Sequence, residues 1–212
     1  MARHGERIVV SCGTGAERQE VCGSHLLAAV GRLPNSDDLG LQAADIATDA
    51  REFLAVDAQL RTKVPGVWAV GDANGRGGLT HTAYNDFELV AGNLLDGELR
   101  SMEDRIPAYA LFIDPPLGRV GMSEAQVRAT GRPALVGVMP MSRVGRAKER
   151  GETQGFMKVL VDAQTECIRA ASLLCIEGDE IVHSLLDVGA AGASYRVVQR
   201  AVHIHPTRRG ST

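Results

Sequence analysis

Two places in this 212-residue chain hold side chains in an order that chemistry could use. The first is Val64-Pro-Gly-Val-Trp-Ala-Val-Gly-Asp72. Pro65-Gly66 signals a turn, and the apolar run Val67 to Val70 predicts a short buried strand. Gly71 lets the backbone pass close to a ligand, and Asp72 sets a carboxylate at the strand's carboxyl end, where open parallel sheets bind ligands. A carboxylate only accepts hydrogen bonds, so it suits a sugar-type hydroxyl better than a phosphate. Taken alone, the run reads equally well as a core strand ending in a turn. The second place is His203-Ile-His-Pro-Thr207. A His followed by Pro sits on restricted backbone, and an imidazole titrates near neutral pH, which suits His205 to acid–base work. As a metal-binding His-x-His, His203 and His205 lack a nearby Cys or carboxylate and make a poor site.

Other reactive residues argue against further chemistry. Cys12, Cys22, Cys167 and Cys175 are not spaced as C-x-x-C or C-x-x-x-x-C, so the chain encodes neither a zinc knuckle nor a close redox pair. Cys167 and Cys175 stand in apolar surroundings and are expected as small buried hydrophobes. The basic run Arg143, Arg146, Lys148, Arg150 has no interleaved aromatics and is expected as a solvated loop. A net charge of −3 offers no field for nucleic acid or an anionic membrane. No apolar run is long enough to span a bilayer, and Met1 to Arg7 is not followed by a signal-type apolar segment, so the expected compartment is the cytoplasm.

The elements that must position these residues can be read from period and punctuation. Ile8 to Ser11 and Glu20 to Cys22 predict short strands around a turn at Gly13-Thr-Gly15, and Leu26 to Val30 predicts a buried strand. Residues 36 to 66 are polar and punctuated, with a short strand expected from Phe53 to Val56. Leu79, Ala83, Phe87, Val90, Ala91, Leu94 and Leu95 recur at helical spacing, and Gly97 stops that helix. Beyond Arg105 the pattern turns to strands at 110–113, 119–122, 135–139, 155–161 and 168–176. A helix capped by Ser123 and two late helices, 179–188 and 195–202, complete it.

Four segments stand in a telling order: Gly31-Arg-Leu-Pro-Asn35, Val67 to Asp72, Leu79-Thr-His-Thr-Ala83 and His203 to Thr207. Together they resemble the pyridine nucleotide–disulfide oxidoreductases, the flavoprotein family of dihydrolipoamide dehydrogenase, glutathione reductase and mercuric reductase. The resemblance runs from about Ile8 to Thr207 and matches the C-terminal half of the family pattern. It implies an α/β chain with parts of NAD(P)- and FAD-binding domains of the parallel-sheet type, followed by an α+β interface domain. The implied boundaries are 1–34 for the end of the NAD(P)-binding domain, 35–105 for part of the FAD-binding domain, and 106–212 for the dimerisation domain.

The resemblance also implies roles. Gly31 and Arg32 mark the crossing between the nucleotide domains, Gly71 and Asp72 hold the ribityl chain of FAD, and Leu79, Thr80, His81, Thr82 and Ala83 bring a helix N-terminus to the flavin pyrimidine. The amides around Thr82 and Ala83 are the expected donors there. His205 is the implied acid–base group for the redox thiol of a partner subunit. Where the family places a Glu after His-Pro-Thr, this chain has Gly210. The Gly-rich adenine-dinucleotide fingerprint and the redox Cys pair do not occur in these residues, so by themselves they are expected neither to retain FAD nor to reduce substrate. The complete enzyme would carry electrons from NAD(P)H through FAD and a disulfide to a disulfide or metal substrate. The rival reading is a non-catalytic module that dimerises through residues 106–212, using the apolar stretches 173–176 and 182–188.

Overall fold

The computed structural model describes residues 2–5, 7–13 and 18–205, which fall into two compact units, Met1–Met102 and Glu103–Thr212. The first unit opens with an antiparallel meander of β1 (Ala2–His4), β2 (Arg7–Cys12) and β3 (Gln19–Gly23). Ile8 and Val10 sit on β2, paired with Gly23 and Val21 of β3, as the apolar pattern predicts. Of the turn expected at Gly13-Thr-Gly15, only Gly13 lies within the described residues.

Leu26 to Val30 does not form the expected buried strand. Leu27 and Val30 are 87% and 96% exposed, and the segment has no ladder. A parallel-type strand is held only by neighbours on both sides, and among the described residues none lies beside this one. The expected strands at 53–56 and 67–70 shrink for the same reason to single bridges, Thr48 with Leu54 and Arg61 with Trp68.

What replaces them is a chain of side-chain-closed turns. Asp49 Oδ1 accepts from the amides of Arg51 and Phe53, and Asp57 Oδ1 accepts from those of Gln59 and Arg61. Leu54, Leu60 and Ala69 are tucked inside these turns. The helix then arrives as the period predicts, α1 at Thr80–Leu95, with Leu89 on its buried face. Gly97 follows at φ +69, a left-handed stop that other residues adopt at a cost.

The second unit is built on a five-stranded antiparallel sheet. Its strands are β4 (Ala108–Leu111), β5 (Leu117–Gly121), β6 (Ala134–Pro140), β7 (Phe156–Asp162) and β8 (Ile168–Leu174), in the order β4-β5-β8-β7-β6. Helices α2 (Glu124–Ala129), α3 (Gly145–Arg150), α4 (Gly178–Ala190) and α5 (Arg196–Arg200) complete it. Strand alternation sends Met157, Ala171 and Leu173 into one core with Ile181, Val182 and Leu185 of α4. It sends Leu160 and Ala170 to a smaller core under Val127 of α2. The Ser123 cap is realised as a reciprocal pair, Ser123 Oγ accepting from the Gln126 amide and Gln126 Oε1 from the Ser123 amide. Helix α4 starts hard against the sheet: a Cβ on Gly118 would lie 2.1 Å from the Gly178 carbonyl oxygen.

Two expectations change here. The basic run is not a solvated loop but a 3-10 turn, Met141–Arg143, leading into α3. Met141, Val144 and Ala147 are fully buried at helical spacing, and they hold the charged residues outward. Of the apolar stretches expected to dimerise, 173–176 and 182–188, Leu173, Cys175, Ile176, Val182 and Leu185 are instead buried in the unit's own core. Exposed apolar surface sits on edge strand β6, where Leu135, Val136 and Val138 are each more than half exposed. Among the described residues, no helix is long and apolar enough to cross a membrane.

Candidate functional site

In the first unit, residues far apart in sequence converge on an open cleft of about 580 Å³. Arg32, Asp72, Phe53, Gly77 and Gly78 are among those lining it. Gly31 precedes Arg32 at φ +111, a conformation open to glycine, and so turns the chain toward the cleft. The Arg32 guanidinium donates to Asp72 Oδ2 at 2.6 Å. Both side chains are solvent-accessible, 75% and 49%, so this pair contributes little to stability. It engages one carboxylate oxygen of Asp72, Oδ2, at the border of the cleft.

The backbone under Asp72 is held from below. Gly71 sits at φ +72 and its amide donates to Asp86 Oδ2 at 2.9 Å. Asn74 Nδ2 donates to the same oxygen at 2.8 Å and to the Ala69 carbonyl at 3.1 Å. Asp86 is 2% exposed and projects from α1, so the helix itself grips the turn that presents Asp72. Neither Asp86 nor Asn74 was singled out from sequence. The available signal was a carboxylate three positions from both Ala83 and Leu89, on the face the helix buries.

The glycines of the loop are explained by close approach. A Cβ on Gly75 would meet the Phe53 ring at 2.7 Å, and one on Gly77 would meet Thr82 Oγ1 at 2.7 Å. The N-terminus of α1 differs from expectation in one respect. The amides of Thr82 and Ala83 both donate to the Leu79 carbonyl at 3.0 Å, so they are already engaged. Thr82 Oγ1 closes the same turn by donating to the Leu79 carbonyl and accepting from its amide. Leu79, Thr80 and His81 are exposed at this end, while Thr82 and Ala83 are half-buried.

In the second unit, His205 is exposed, and Pro206, Thr207 and Gly210 lie outside the described residues. His203 is half-buried, with Nε2 3.2 Å from the Val198 carbonyl oxygen. A carbonyl can only accept, so this contact places the proton on His203 Nε2. The segment carrying both rings leaves α5, whose start is clamped by Glu166. The Glu166 carboxylate accepts two bonds from Arg196 Nε and one from Nη2, at 2.6 to 2.8 Å, and another from Ser194 Oγ at 2.9 Å. These partners, Arg196 foremost and then Ser194, hold the Glu166 carboxyl below its ordinary range, and the Glu166 carboxylate in turn raises Arg196. Cys175 is buried as expected, whereas Cys167 is only half-buried, its thiol 3.7 Å from the carbonyl oxygens of Thr165 and Gly192. Among the described residues, no cluster of three His, Cys, Asp or Glu side chains could hold a metal ion.

Comparison with known proteins decides the family. Residues 2–86 match the family profile described as pyridine nucleotide-disulphide oxidoreductase, and residues 107–211 match the profile of that family's dimerisation domain. The chain belongs to the pyridine nucleotide–disulfide oxidoreductase family. Over 194 residues it is 34% identical to the probable pyridine nucleotide-disulfide oxidoreductase RclA of Escherichia coli, covering 91% of this chain and 44% of that one. A dihydrolipoyl dehydrogenase of Cupriavidus necator is 33% identical over 182 residues, 86% of this chain and 38% of the relative. The solved Cu(II) complex of the E. coli HOCl-induced flavoprotein disulfide reductase RclA superposes with a TM-score of 0.88 at 32% identity, over 99% of this chain and 48% of that one. LpdA from Mycobacterium tuberculosis shares the fold, with a TM-score of 0.85 at 23% identity over 96% of this chain and 45% of that one. The chain therefore spans less than half the length of the relatives it matches. Its fold class is that of the family: α/β nucleotide-domain elements followed by an α+β dimerisation domain.

Proposed function

We propose that this chain supplies the cofactor-holding and dimerising parts of an FAD-dependent oxidoreductase. That enzyme carries electrons from NAD(P)H through FAD to a redox disulfide, and on to a disulfide or metal substrate. The observation that carries the reading is the Arg32–Asp72 pair on the Asp86-gripped turn, at a cleft bordered by the Gly75 to Gly78 loop. The donor set fits part of the cofactor. Asp72 offers a half-exposed acceptor suited to ribityl hydroxyls, and Gly78, with open space where a Cβ would stand, permits close approach. Residues from Gly71 to Ala83 would line the flavin, which supplies hydride transfer and electron storage when bound. The pyrophosphate would have to be held elsewhere, since no G-x-G-x-x-G turn occurs in these 212 residues.

His205 is assigned the proton transfers at the redox thiol, and residues 106–212 the homodimer contact. The dimerisation-domain match and the exposed apolar residues of edge strand β6 support the second assignment. The test is reconstitution. This chain would be combined with a polypeptide carrying the Gly-rich fingerprint and the Cys pair, then assayed for bound flavin and for NAD(P)H oxidation with a disulfide or metal acceptor. Asp72→Ala should lose flavin, and His205→Gln should keep it while lowering turnover by about 10² to 10⁴-fold. Full flavin retention by Asp72→Ala would overturn the cofactor assignment.

A further inference from the structure

Helix α5 is only five residues long, Arg196–Arg200, and a helix of that length does not hold itself together in water. Its place is set by tertiary contacts: Val198 packs against the core of the second unit, and the polar contacts concentrate on one residue. Glu166 closes the turn between β7 and β8. Its carboxylate takes Arg196 and Ser194, as above, and its carbonyl accepts the Tyr195 amide at 2.9 Å. The adjacent Cys167 bridges to Ser194. At the other end, the His203 ring returns to Val198, inside α5, so the segment leading to His205 is tied to the helix it leaves.

The backbone of Glu166 is strained. It lies at φ +60, where a residue with a Cβ is disfavoured and a glycine fits without strain. A tight turn alone would be better served by glycine. The carboxylate is what a glycine could not supply. His205, by contrast, is exposed, with no side-chain hydrogen bond among the described residues to fix its ring. The path of the backbone that delivers it therefore bears directly on its aim.

We propose that Glu166 is the positioning residue for the His203–His205 segment: by clamping Ser194, Tyr195 and Arg196 it sets where α5 begins and so where the His205 imidazole is presented. The inference rests on the reading of His205 as the acid–base group, and its test is separable from that reading. The 212-residue chain, isotope-labelled, is compared with Glu166→Gly by amide exchange and by relaxation of the His205 imidazole carbon. Glu166→Gly relieves the backbone and deletes the carboxylate's hold on Ser194 and Arg196, while the carbonyl bond to the Tyr195 amide is kept. The sheet amides of β7 and β8 should keep their protection, the α5 amides should exchange at least ten-fold faster, and the His205 ring should gain mobility. A charge swap, Glu166→Arg with Arg196→Glu, should restore part of the protection that either single change removes. Should Glu166→Gly fail to fold, Arg196→Gln leaves the turn untouched and should produce the same loosening of α5 and His205. Unchanged exchange in α5, or an unchanged His205 signal in these variants, would overturn the proposal. If His205→Gln leaves turnover of the reconstituted enzyme intact while the clamp behaves as described, the acid–base assignment fails and the geometric one stands.

Discussion

Asp86→Ala tests how the cleft in the first unit is built. The buried carboxylate accepts from the Gly71 amide and from Asn74 Nδ2 through one oxygen. Deleting it leaves both donors facing a space that a methyl group cannot satisfy. Removing the acceptor from a buried donor costs about 1–3 kcal/mol, the desolvation penalty of the group left unpaired. Gly71 loses its acceptor outright, for about 2 kcal/mol, whereas Asn74 keeps the Ala69 carbonyl and loses about 1 kcal/mol. The expected destabilisation is thus about 3 kcal/mol.

The assay is built in, because Trp68 is the only tryptophan and lies in the first unit. Its fluorescence in urea reports that unit alone. With a slope of about 1 kcal/mol per molar for a unit of this size, the midpoint should fall by about 3 M. Asp86→Asn keeps one acceptor oxygen and should cost roughly half as much. Adding Asn74→Ala to Asp86→Ala should cost less than the sum of the two by about 1 kcal/mol, since one orphan disappears with its partner. A loss below about 0.5 kcal/mol for Asp86→Ala, the scale of an ordinary surface change, would refute this account of the turn.

Three further outcomes are expected. Gly118→Ala should unseat α4 and abolish the native amide spectrum of the second unit, because its Cβ would stand 2.1 Å from the Gly178 carbonyl oxygen and backbone cannot yield as a side chain can. Glu124 is depressed to about 2, first by the Lys158 hydrogen bond and then by Arg128. Its folded value lies below its unfolded one, so the stability it lends is present above about 4.5 and lost as pH falls toward 2. Glu124→Gln should therefore flatten the acid-unfolding curve across that window, seen by circular dichroism. Finally, purified residues 1–212 should show no stoichiometric flavin absorbance after gel filtration, for want of a pyrophosphate-binding turn.

The parts of this molecule legible in its sequence are those whose partners lie nearby. Helix α1, the Ser123 cap and the β7–β8 hairpin pair residues close in sequence, and periodicity and turn punctuation report them well, whereas the pairing of Leu117 with Leu174 that joins β5 to β8 has no local signal. The failures share one cause. Leu26 to Val30 and Val67 to Val70 have the composition of buried strands, yet composition records the need for neighbours and not their presence. The basic run misled for the reverse reason: its charges outnumber Met141, Val144 and Ala147, though these three decide where it packs.

The site divides along the same line. Gly71, Asp72 and His205 could be named because their immediate sequence context is chemical. Arg32 could be named only through the family pattern, and its contact with Asp72 spans forty positions. Asp86, Glu166 and Arg196 escaped notice because nothing beside them in sequence is what they hold. Yet Asp86 grips the turn that presents Asp72, and the Glu166–Arg196 pair grips the helix that delivers His205. In both units the exposed, chemically able side chain is carried on backbone that a less exposed carboxylate fixes. Mutating the carrier while leaving the carried residue intact is therefore the more discriminating experiment. It asks whether activity follows the identity of Asp72 and His205 or the precision with which they are held.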